Sequence, residues 1–165
     1  MPVIEKSIEV NVPAQVAYDQ WTQFEDFPLF MEGIIAVNQL DDTHVHWTAE
    51  IVGQRKEWDA EITEQIPGKR IAWHSISGAR NAGVVTFHHL DDSSSRIMLQ
   101  MDYDPEGLLE NAADAIGVLT HRVAGDLERF KGFIESRGNA TGAWRGQVNQ
   151  GAYQATPPGH LNQPR

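Results

Sequence analysis

Polar and apolar residues alternate from the start of the chain. Ile4, Lys6, Ile8, Val10 and Val12 share one parity, and Glu5, Ser7, Glu9 and Asn11 hold the other. Period two predicts a half-buried strand. Pro13 then suits the first turn of a helix, where its missing N–H costs nothing. Val16, Ala17, Gln20, Trp21 and Phe24 follow at helical spacing, and Phe27-Pro28-Leu29-Phe30-Met31 forms a second short apolar helix or turn ended by Gly33. Six strand-like runs come next, at about 34–40, 44–52, 55–66, 70–77, 83–90 and 96–103.

The turns between these runs set an expected register. Gly53-Gln54 suits a two-residue hairpin and Pro67-Gly68 a type II turn. With those turns Ala49 faces Trp58, Trp47 faces Ala60, Val45 faces Ile62 and Ile62 faces Trp73. A turn from Ser77 to Gly83 sets Trp73 beside Phe87. A turn over Asp91-Asp92-Ser93-Ser94-Ser95 sets Phe87 beside Leu99 and Val85 beside Met101. The bulky apolar residues then share one face of an antiparallel meander, whereas a one-residue slip would scatter them.

From about Pro105 to Arg137, Leu109, Ala112, Ile116, Leu119, Val123, Leu127, Phe130 and Ile134 recur at three- and four-residue steps. Glu110, Asp114, Arg122, Asp126, Arg129 and Lys131 lie opposite, so one long amphipathic helix is expected, stopped by Gly138. Beyond it, residues 138–165 hold five Gly, three Pro, four Gln and three Asn, with no Asp or Glu. So little apolar area does not offset ordering entropy, and a disordered tail is expected after a domain at 1–137. Trp144 and Tyr153 are its two large aromatic side chains.

Composition narrows the function. The 165 residues form one core rather than two, burying about 70% of the unfolded surface. Lys and Arg total 13 against 23 Asp and Glu, a net charge of -10, and 11 against 23 before the tail gives -12. That balance excludes a basic nucleic-acid footprint and disfavours an anionic membrane surface. With no cysteine there is no disulfide, thiolate metal site or cysteine nucleophile. No apolar run approaches the roughly 20 residues of a membrane span, and the N-terminal residues lack a signal-peptide order. A cytoplasmic protein, monomeric or weakly dimeric, is the expectation. No Gly-x-Ser-x-Gly elbow or phosphate loop occurs.

The element order and several segments resemble a known superfamily. The segments are Ser7-Ile8-Glu9-Val10-Asn11-Val12-Pro13 leading to Tyr18 and Trp21, and Phe27-Pro28 before Phe30-Met31. Glu57-Trp58-Asp59-Ala60-Glu61-Ile62, Ile71-Ala72-Trp73, Gly83-Val84-Val85-Thr86-Phe87 and Tyr103-Asp104-Pro105-Glu106-Gly107 continue the likeness. Residues 3–137 resemble the START-like, or SRPBCC, superfamily, in particular its bacterial polyketide cyclase/dehydrase branch. The resemblance implies an α+β helix-grip fold: a seven-stranded curved antiparallel sheet wrapped around a long C-terminal helix, with two short helices after the first strand. It also implies a cavity between sheet and helix. Family members include aromatases and lipid carriers, so fold alone assigns no reaction.

Within that frame, parity directs Trp47, Trp58, Trp73, Val85, Phe87, Leu99 and Met101 into the cavity from the sheet, and Leu109, Ala112, Ile116 and Leu119 from the helix. Lys6, Lys56, Ser75, Ser77 and Tyr103 share the inward parity at the end that is commonly the mouth in this family. They could hold an acidic ligand end, or the lysines could reach back to water. His46, Glu61 and His74 form an outward cross-strand row, read as ordinary pairing, so no metal or other cofactor is expected. His89 is expected inward at the closed end as a core histidine. No catalytic set is assigned. The expected function is binding a small hydrophobic or aromatic, lipid- or polyketide-like molecule for transport, storage or protection. The alternatives are an aromatase/cyclase or dehydratase moving protons with Tyr103, a serine or His89, and an interaction module with a filled cavity.

Overall fold

The computed structural model describes residues 3–51, 53–103, 112–149 and 152–154, with side chains described from Gly117 onward in the last helix and none described for 152–154. The chain runs β1 (Val3–Val10), α1 (Ala14–Trp21), a 3₁₀ turn (Phe24–Leu29), then β2 (Ile34–Gln39), β3 (His44–Ile51), β4 (Gln54–Ile66), β5 (Arg70–Gly78), β6 (Asn81–Asp91) and β7 (Ser94–Tyr103). Helix α2 (Ala112–Arg137) and two short strands, β8 (Gln147–Asn149) and β9 (Ala152–Gln154), complete it. Seven antiparallel strands in the order β1-β7-β6-β5-β4-β3-β2 curl into a half-barrel around α2. This is the helix-grip fold.

Three of the expected registers are displaced toward the N-terminus. Ile51 pairs with Gln54 across β3 and β4, so Trp47 pairs with Trp58 and Ala49 with Lys56. The β5–β6 ladder runs from Arg70 opposite Thr86 to His74 opposite Ala82, so Trp73 pairs with Gly83 rather than Phe87. β6 and β7 turn at Asp92-Ser93, which pairs Phe87 with Ile97 and Val85 with Leu99. These slips are even, and an even slip leaves each residue on its face. The odd shifts occur at bulges. Ile76 is one extra residue on β5 between Ser75, opposite Ala60, and Ser77, opposite Asp59.

Trp21 of α1 joins the layers. Its indole makes edge contacts with Phe27, Phe87 and Phe130 at 5.6, 6.2 and 4.9 Å between ring centroids. Phe87 also meets Tyr18 edge-on at 5.4 Å. Helix α1 therefore fills the end of the half-barrel around Phe87, and open space is left toward Trp47, Trp58 and Trp73.

The helix stop occurs where expected: Gly138 has φ +77° and its N–H donates to Ile134 O at 2.8 Å. The disordered tail does not hold for residues 138–149. Trp144 and Val148 are buried, Arg145 pairs with Asp19 at 2.8 Å, and Thr141 donates through Oγ1 to Asp26 at 2.6 Å. The cause lies in β4, which outlasts β3. Glu64 and Gln65 have β5 on one side and would present an open edge on the other. β8 fills that edge, pairing Asn149 with Glu64 and Val148 with Gln65. Average composition does not register two buried side chains placed where an edge needs covering.

Candidate functional site

A cavity of about 160 Å³ lies between the curled sheet and α2. Its wall is apolar over most of its extent: Trp47, Trp58, Trp73, Ile62, Leu99 and Met101 from the sheet, Leu119, Val123 and Leu127 from α2, and Trp21, Phe24 and Phe27 from the short helical segments. Cavities of about 150 Å³ with apolar walls take a benzene-sized guest. Trp47 and Trp58 lie directly opposite each other on neighbouring strands, which brings their indoles into a parallel stack. Trp73 lies over Gly83, where a Cβ would fall 2.6 Å from its ring, and its Nε1–H donates to Asn81 Oδ1 at 3.2 Å. Asn81 is buried and its backbone N–H donates to Ser75 Oγ at 3.0 Å. The buried Trp58 Nε1–H has no hydrogen-bond partner among the described residues.

Six expected cavity residues thus reach the lining: Trp47, Trp58, Trp73, Leu99, Met101 and Leu119. Val85 and Phe87 do not, because α1 packs over that part of the sheet; both are buried in the core. Tyr103 is fully buried, away from the lining, and burial raises the pKa of its phenol. Ser75 serves the β5–β6 turn instead of the cavity. Ser77 faces outward: the bulge at Ile76 reverses its parity, and its hydroxyl donates to Asp59 at 3.0 Å on the convex face. Lys6 and Lys56 are half-buried, and neither belongs to the lining, although their cross-strand partners Leu99 and Ala49 do. Leu109 lies outside the described residues, as do the side chains of Ala112 and Ile116.

His89 is exposed, opposite Ser95 near the end of the β6–β7 pairing, and is not a core histidine. The outward histidines pair across strands in a slightly different row. His46 meets Asp59 at 2.6 Å and Glu57 at 3.2 Å, and Glu61 lies between His44 and His74 at 3.5 and 3.7 Å. The bonds to Asp59 and then Glu57 raise the pKa of His46. Among the described residues no His, Asp and Glu converge as a metal-holding group.

The polar end of the cavity was not legible as such. Arg122 and Asp126, one turn apart on α2, line it together with Glu32 and Gly33 of the segment before β2. Asp126 accepts the Glu32 backbone N–H at 3.0 Å and Nη2–H of Arg129 at 2.5 Å. Arg129 also pairs with the Glu32 carboxylate at 3.4 Å and donates from Nε to Phe30 O at 3.0 Å. Arg122 donates from Nη1 to two backbone carbonyls, Glu50 at 3.1 Å and Glu32 at 3.4 Å. Gly33, at φ +87°, makes room for it, since a Cβ there would lie 1.8 Å from Nη1. Burial pushes the pKa of Asp126 up to about 6, against the lowering effect of Arg129, the Glu32 N–H and Arg122. A helical wheel places Arg122, Asp126 and Arg129 outside the apolar stripe. A sheet that curls past the stripe reaches them, and their ion-pair spacing beside it is the signal that could have found them.

Residues 10–131 match the family described as polyketide cyclase / dehydrase and lipid transport. The chain belongs to that family. Among relatives of this cyclase/dehydrase-family protein, an uncharacterized 17.2 kDa protein from the melC2–rnhH intergenic region of Streptomyces lincolnensis is 54% identical over 149 residues, covering 90% of this chain and 99% of the relative. The solved structure of DR_A0006 from Deinococcus radiodurans is 28% identical, with a TM-score of 0.66 over 83% of this chain and 99% of that one. The Zhui aromatase/cyclase from Streptomyces sp. R1128 superposes with a TM-score of 0.71 at 17% identity, over 86% of this chain and 98% of its own. That last likeness is one of fold. No helix among the described residues is long and apolar enough to cross a membrane.

Proposed function

We propose that the protein binds one small aromatic or otherwise apolar molecule between the sheet and α2, to carry, store or protect it in the cytoplasm. The observation that carries this reading is the cavity wall: four indoles and a row of aliphatic side chains around open volume. Flat apolar surfaces of this kind gain from burying a flat guest. An interior filled by its own side chains would have favoured an interaction module instead. Native mass spectrometry of freshly purified protein tests the proposal: a stoichiometric small-molecule adduct supports it. Failure to retain any adduct, together with failure to bind apolar fluorescent probes, would overturn it.

Asp126 favours a second reading. A carboxyl with a pKa of about 6 beside an apolar cavity can exchange a proton near neutral pH, as a cyclase or dehydratase requires. Its Oδ1 already accepts both the Glu32 N–H and Arg129, so the binding reading stands first. Incubation with a poly-β-ketone analogue separates the two. Loss of one water from the product, abolished by Asp126→Asn, would establish catalysis.

A further inference from the structure

The cavity has one charged pole, and its charges are unevenly matched. Arg129 faces two carboxylates, Asp126 and Glu32. Arg122 faces none at ion-pair distance among the described residues; the acceptors on its Nη1 are the neutral carbonyls of Glu32 and Glu50. Its Nε and Nη2 have no protein acceptor among the described residues. The guanidinium is nonetheless held, because those two carbonyls fix it and the missing side chain at Gly33 gives it space. Asp126 Oδ1 takes the Glu32 N–H and Arg129, and Asn81 Oδ1 takes the Trp73 indole. Lys6 and Lys56, the other cations on the inward face, stay out of the lining.

The geometry points to a ligand with an apolar ring body and an anionic end, the ring lying against the indoles and the anion on Arg122. This deepens the binding reading above and rests on it. A guanidinium with free N–H groups and no carboxylate partner, set at the edge of an apolar chamber, recognises a carboxylate, sulfonate or phenolate by charge-assisted hydrogen bonds. The overall negative charge of the chain does not prevent this, since at about 0.15 M salt charges beyond roughly 8 Å are largely screened.

Two one-ring probes read by titration calorimetry test it: 4-aminobenzenesulfonate and aniline, which lacks the sulfonate. Each is titrated into the full-length protein and into Arg122→Met, Arg122→Lys and Asp126→Asn, with circular dichroism confirming the fold of each variant. Arg122→Met should weaken the sulfonate about tenfold and leave the amine within about twofold. Arg122→Lys, which keeps the charge, should lose less. Asp126→Asn, which removes the neighbouring negative charge, should tighten the sulfonate and leave the amine unchanged. Equal weakening of both probes by Arg122→Met would make the arginine a support of the wall only; that overturns the anion site and leaves the cavity reading standing. Sulfonate binding unchanged in all three variants also overturns it. If neither probe binds the unmodified protein, the cavity reading falls and this inference falls with it.

Discussion

Trp47 and Trp58 stack across β3 and β4 with ring centroids 5.8 Å apart and planes 10° from parallel. Direct cross-strand pairing sets this geometry, and it turns two indoles into one continuous flat wall. Such a pair contributes about 0.5–1.5 kcal/mol beyond the area it buries. Its value to a flat ligand is that the surface exists before the ligand arrives.

Trp58→Ala should therefore act on both stability and binding. Truncating a buried Trp costs about 3–5 kcal/mol. Trp144→Ala should cost a similar amount, since Trp144 is equally buried, but it lies outside the cavity lining. Probe affinity, measured well below both melting points, should fall for Trp58→Ala and hold for Trp144→Ala. Equal losses would contradict the placement of the wall.

A chain ending at Gly138 should be markedly less stable. It lacks Trp144, Val148, the Arg145–Asp19 pair and the β8 pairing with β4. A loss of about 5 kcal/mol corresponds to a drop in Tm of roughly 10–20 °C for a chain of this size. Thermal denaturation followed by circular dichroism measures it, and a shift of only a degree or two would show that the segment is an ornament.

Stability should fall as pH rises from about 4 to about 6. The Asp126 carboxyl has its pKa raised to about 6 in the folded state, chiefly by burial. Between that value and the unfolded one the native state binds more protons, so raising the pH favours unfolding, and the loss is complete above about 6. Two pH units correspond to about 3 kcal/mol. Asp126→Asn should flatten this slope in urea titrations run across the range; a slope that persists unchanged would assign it elsewhere.

The imidazole of His46 should titrate above the ordinary histidine range, because Asp59 and Glu57 hold its charged form. Its contribution to stability is then full below the unfolded pKa and disappears as pH rises through the folded one. Asp59→Asn should bring the titration down. NMR of the ring protons, assigned with His46→Gln, reads both, and an unshifted His46 would show that the short contact to Asp59 does not persist in solution.

The faces of the strands were legible from alternation because the β3–β4, β5–β6 and β6–β7 registers were misjudged by even numbers of residues. Trp47, Trp58 and Trp73 were thus placed inward although each was given a wrong partner on a neighbouring strand. Ser77 was lost to a bulge, which leaves no mark in a run of alternating residues. Val85 and Phe87 were inward but not open, since parity says nothing about what packs above a face. Arg122 and Asp126 were set in solvent because a charge beside an apolar stripe reads as exposed when the curvature of the opposing sheet is unknown. Trp144 was undervalued because its neighbours, not its own chemistry, made its segment look unstructured.

The pairing of β1 with β7 also bears on how the chain folds as it is made. Ile4 and Met101 are partners. The ribosome delivers β1 first and its neighbour last among the seven strands of the half-barrel, and at about 5–20 residues per second that interval lasts on the order of 10 s. For that time Ile4, Ile8 and Val10 have no strand beside them, and hairpins β3–β4 and β6–β7, which close locally, can form without them. Contacts so distant in sequence form slowly. The nascent chain therefore offers an apolar N-terminal strand to any holdase near the exit tunnel until Tyr103 has emerged.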